Sequence, residues 1–88
     1  MDQNEEKSMY DIADKFINLA NEIAKSTKSG NVGVAIRFAA ARYSAYEASM
    51  FTNNLAEDKD KQLQLFVDDY TKMLQVNLED YIKVQAQK

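Results

Sequence analysis

Met9, Ile12, Phe16, Leu19 and Ile23 recur at spacings of three and four, while Lys15, Asn18, Glu22 and Lys25 fall on the other side of the repeat. Side chains spaced this way share one face of an α-helix, so the pattern predicts a first helix over residues 9–27. Ser8 is a suitable N-cap for it. Asp11 stands three residues on, where a capping box prefers Glu. Ala13, Ala20 and Ala24 flank the apolar stripe. The run KSTKSGNVG ends the helix, with lysines near its C-terminus and glycine beyond.

Leu63, Val67, Tyr70, Leu74, Asn77, Tyr81 and Val84 alternate by four and three. They predict a third helix over residues 59–85, with Asp58 or Asp60 near its start, where the helix dipole favours negative charge. Asn77 is the one amide in this stripe. It has two readings: a residue at the edge of the core bonded to a neighbour, or a buried polar residue that fixes register as in coiled coils.

Between these stretches lies AIRFAAARYSAYEASMF, residues 35–51, with Arg37, Arg42 and Glu47 as its only charges. A second helix is predicted over about 33–55, starting at Val32 or Val34. At 100° per residue it has two apolar arcs. One is bulky: Val32, Ile36, Ala39, Tyr43, Tyr46 and Met50. The other is mostly small: Val34, Phe38, Ala41, Ala45, Ala48 and Thr52, with Arg37 and Arg42 on its margins. Two readings follow. Either two flanking helices cover this helix, making it the most buried one of a monomer, or the small arc meets another chain, with the arginines at an interface rim.

No sustained apolar–polar alternation suggests a strand. Proline is absent, and the two glycines, Gly30 and Gly33, lie together. Three amphipathic stretches with short joints predict an all-α fold, an antiparallel three-helix bundle. It should be elongated, since a helix of about 25 residues is about 37 Å long.

The chain has 88 residues, which suits a single domain over residues 1–88. A domain of that size buries only about 60% of the surface its unfolded chain exposes, so association with a second copy would add stability. Net charge is −3. Residues 1–30 carry six acids and four bases, residues 31–55 one acid and two bases, and residues 56–88 seven acids and five bases. No segment forms a basic footprint, which argues against nucleic acid or an anionic membrane as a partner. The opening MDQNEEKSMYD is polar and acidic, unlike a secretory signal, and no apolar run is long enough to span a bilayer. The expected location is the cytoplasm.

Histidine and cysteine are both absent. That removes the commonest general base, the commonest transition-metal ligand and any disulfide. The paired acids Asp68–Asp69 and Glu79–Asp80 diverge by about 100° on a helix, so neither pair converges on one substrate. EDKDK lacks the spacing and turn glycine of an EF-hand loop. Gly30 and Gly33 in SGNVG are followed by Val34 and Ala35, not by the Lys-Ser/Thr of a phosphate loop. No catalytic residue, metal or cofactor is expected. Arg42, if it points inward, needs a carboxylate such as Asp14 or Asp80, because an unpaired buried charge is costly.

Three segments, DIADKFINLANEIAKS, VGVAIRFAAARYSAYEAS and FVDDYTKMLQVNLEDYI, together resemble a proteobacterial family of small proteins, the domain-of-unknown-function family numbered 3144. The shared marks are Ala13, Asp14, Phe16, Ile17, Leu19, Ala20 and Asn21, then Ala40, Ala41, Arg42 and Tyr43, then Met73, Leu74, Asn77, Leu78, Asp80 and Tyr81. Relatives usually continue the second run with Asn and Phe, where this chain has Ser44 and Tyr46. The resemblance implies a bacterial, soluble, stand-alone helical protein and supplies no activity.

The expected function is a protein–protein interaction module that self-associates, as a homodimer or with another protein. The alternative is a small-molecule or anion-binding regulator with a pocket around Arg42. The candidate interface or pocket residues are Arg37, Phe38, Ala41, Arg42, Ala45, Tyr46 and Ala48.

Overall fold

A computed structural model describes residues 2–27 and 30–87, with side chains from residue 8 onward. The arrangement is all-α: α1 (Asp2–Thr27), α2 (Val32–Phe51) and α3 (Leu55–Ala86), with no strand among the described residues. The chain divides into two compact units, residues 1–42 and 43–88.

In the first unit, α1 begins at Asp2 and not near Met9, so Ser8 lies inside the helix and does not cap it. No proline or glycine precedes Ser8, so nothing in the sequence stops the helix there. At the other end, the hydroxyls of Ser26 and Thr27 both donate to the Ile23 carbonyl, at 3.2 and 2.9 Å. These bonds hold both hydroxyls against the last turn of their own helix. Lys28 and Ser29, part of the predicted joint, lie outside the described residues. The Asn31 carbonyl accepts from the Ala35 N–H at 2.9 Å, at the start of α2. Gly33 is helical and has no positive φ. A Cβ there would meet only the Arg37 Nη1, at 3.5 Å, an ordinary contact.

The second unit turns on a three-residue joint. α2 stops at Phe51, short of the predicted Leu55, because Thr52 and Asn54 are committed to the start of α3. Asn54 is the N-cap: its Oδ1 accepts from the Glu57 N–H at 3.3 Å, and its Nδ2 donates to Glu57 Oε1 at 3.0 Å. The Asn54 N–H donates to Thr52 Oγ1 at 3.0 Å, and that hydroxyl donates to Asp58 Oδ2 at 2.5 Å. α3 therefore starts at Leu55, four residues before the predicted Lys59, with Glu57 and Asp58 in its first turn.

Burial in this unit follows from the joint. Ser44 and Glu47 of α2, Thr52 of the joint, and Leu55, Asp58, Gln62 and Phe66 of α3 are partly buried around Ala48. Phe51 shares an open groove of about 500 Å³ with Gln62, Leu65, Phe66 and Asp69, so the end of α2 lies along the first half of α3. Ala48, 5% exposed, is the only fully buried side chain among the described residues.

The predicted apolar stripes are not covered. Met9, Ile12, Phe16, Leu19 and Ile23 of α1 are all exposed, as are Leu63, Val67, Tyr70, Leu74, Tyr81 and Val84 of α3. In α2, Val34, Ile36, Phe38, Tyr43, Tyr46 and Met50 are exposed, and Ala48 is buried.

Two substitutions should move stability in opposite directions. Asn54→Ala removes the α3 cap and should cost about 1 kcal/mol. Gly33→Ala keeps a compatible backbone and should stabilise by about 0.5–1 kcal/mol. Thermal unfolding at one fixed protein concentration checks both, with midpoints expected several degrees below and above the parent.

Candidate functional site

The seven candidate residues all lie on α2, divided between the two units. In the first unit Arg37, Phe38, Ala41 and Arg42 are exposed. Phe38 is 68% exposed, so its ring meets water over most of its surface. The Arg37 guanidinium lies back over Gly33, one helical turn earlier. Arg42 was expected to need a carboxylate. It is exposed, and neither a hydrogen bond nor an ion pair joins it to Asp14 of α1. An exposed guanidinium keeps its water, so the physical need for a buried partner disappears.

In the second unit Ala45 and Tyr46 are exposed and Ala48 is buried. Ala48 is therefore covered by its own chain. The Tyr43 and Tyr46 rings lie 5.7 Å apart between centroids, tilted by 48°. That is an edge-tilted aromatic pair, and it stands on the exposed side of the helix. Ser49 donates to the Tyr46 carbonyl at 2.6 Å, which ties the hydroxyl to its own helix.

The polar residues of the α3 stripe are tied up within their helix. Asn77 is exposed and its Nδ2 donates to the Met73 carbonyl at 2.8 Å. Thr71 donates to the Val67 carbonyl at 2.7 Å, and Gln64 bridges to Asp68 at 2.8 Å. The acids Asp68, Asp69, Glu79 and Asp80 are all exposed. Among the described residues no three acidic side chains gather where a metal could bind. Asp69 is the one acid beside the groove in the second unit, whose other walls are Phe51, Leu65, Phe66 and the stem of Gln62.

What the arrangement offers chemically is apolar surface in water. Composition and spacing located the stripes but not their exposure, because period reports which residues share a face and not what lies against it. The groove beside Phe51 had no sequence signal, since it depends on where the joint places α3.

Residues 9–82 match the family described as protein of unknown function (DUF3144), and the chain belongs to that family. Among curated proteins and among solved structures no match is found. No described helix is long and apolar enough to cross a membrane.

Because Arg42 is exposed and free of Asp14, Arg42→Met should change stability by less than about 0.5 kcal/mol, as for other surface substitutions. Denaturant titration reads this directly. A loss of several kcal/mol would instead reveal a buried ion pair.

Proposed function

We propose that this member of the DUF3144 family is a non-catalytic, cytoplasmic interaction module whose first partner is a second copy of itself. One observation carries the reading. Among the described residues Ala48 alone is buried, while bulky side chains along α1 and α3 stand in water. Folded chains bury Ile, Leu, Phe and Met before Ala, and contiguous apolar patches beyond a few hundred Å² mark sites of contact. A chain with that much uncovered surface gains most from a partner that removes it from water.

The exposed α2 residues Phe38, Ala41, Ala45 and Tyr46 belong to the surface assigned to this role, with Arg37 and Arg42 beside them. The lack of histidine and cysteine supports a non-catalytic role, and the lack of a basic segment favours protein over nucleic acid or anionic membrane.

Light scattering at micromolar concentration should give a mass near twice 10.1 kDa. A cooperatively unfolding helical species that keeps the single-chain mass at every concentration would overturn the proposal. Ala45→Glu places a charge on an exposed position and should weaken association while the helical signal of the subunit persists.

A further inference from the structure

The last two-thirds of α3 pose a separate problem. From Val67 to Gln87 every residue is exposed. An isolated helix of that length is marginal in water, so something must support it. Its apolar seam, Val67, Tyr70, Leu74, Asn77, Tyr81 and Val84, alternates by three and four without interruption. That is the repeat of a left-handed two-stranded coiled coil, in which each seam residue enters a hole on the facing helix.

We propose that this seam pairs in parallel, in register, with the same seam of a second copy, and that Asn77 sets the register. The inference rests on the self-association proposed above and names the surface that carries it.

Three features select a second copy as the occupant. The first is area: the apolar seam residues with Met73 and Leu78 beside them expose on the order of 800 Å² per chain, about one partner's share of a standard protein interface. The second is charge: Asp68, Asp69, Lys72, Glu79 and Lys83 fall on the outer side of the repeat, and Asp80 alone flanks the seam. In a parallel pair Asp80 faces Gln85 of the second copy, so no like charges meet. The third is Asn77. Against an apolar partner its amide would lose water and gain nothing, whereas in the in-register pair it faces the amide of Asn77 of the second copy. Its Nδ2 already donates to the Met73 carbonyl at 2.8 Å, and its Oδ1 remains to accept. An antiparallel pair centred on Asn77 would also match the amides, but it sets Val67 against Gln87, whereas the parallel pair sets Val67 against Val67 of the second copy.

The chain contains no cysteine, so one introduced thiol reads the geometry without background. Under oxidised glutathione, Val84→Cys should cross-link to a covalent dimer within minutes, and Lys72→Cys, on the outer face, should not at the same concentration. Asn77→Leu should associate more tightly than the parent but lose its single mass, giving several species by light scattering. Failure of Val84→Cys to cross-link alone, with cross-linking restored on mixing with Tyr70→Cys, would overturn the parallel register. Dimers that persist in solution while neither seam cysteine cross-links would overturn the α3 seam and leave self-association standing through another face. A chain that stays at its single mass would overturn both.

Discussion

The hydrogen bonds at Thr52–Asn54 decide more of this structure than any apolar contact does. A helix presents its faces in a fixed sequence from its first residue, so the cap that starts α3 also sets which residues turn toward α2. With Asn54 as the cap and Thr52 bonded to Asp58, the inward face of α3 is Leu55, Asp58, Gln62 and Phe66. That face is narrow and half polar, and the small Ala48 closes it. The richer apolar stripe beginning at Leu63 lies about 100° around the helix from Gln62, and the joint turns it away from the end of α2.

The consequence is a chain whose secondary structure is complete and whose hydrophobic burial is not. Backbone groups are satisfied inside helices and at their ends, by Ser26 and Thr27 on the Ile23 carbonyl and by Asn54 at the α3 start. Stripes of Leu, Ile, Phe, Val and Tyr remain in water. Helices of this length owe most of their stability in proteins to packing of such stripes and little to propensity alone. A partner that covered them would contribute to folding as well as to recognition, and would link stability to protein concentration.

The chemistry available is correspondingly plain. His and Cys are absent from the sequence, and most of the described carboxylates lie on exposed helix faces. Its distinctive resource is amphipathic surface with tyrosines at the edges. Such side chains combine a large apolar body with a polar tip and are enriched where proteins meet.

Local pattern alone determined three helices, their order along the chain, and the residues that share each stripe. It also carried the family, through runs such as Ala40–Tyr43 and Met73–Tyr81. These are properties of neighbours three or four apart, and a helix expresses them wherever it lies. Tertiary structure decided the rest. It put the α3 cap at Asn54, buried Ala48, opened a groove beside Phe51, and left Arg42 in water without Asp14. Each of these depends on where a second element comes to rest, and that is set by the hydrogen bonds of a three-residue joint and by burial between segments far apart in sequence. Periodicity says which face seeks cover, and only the placement of the other helices says whether the chain supplies it.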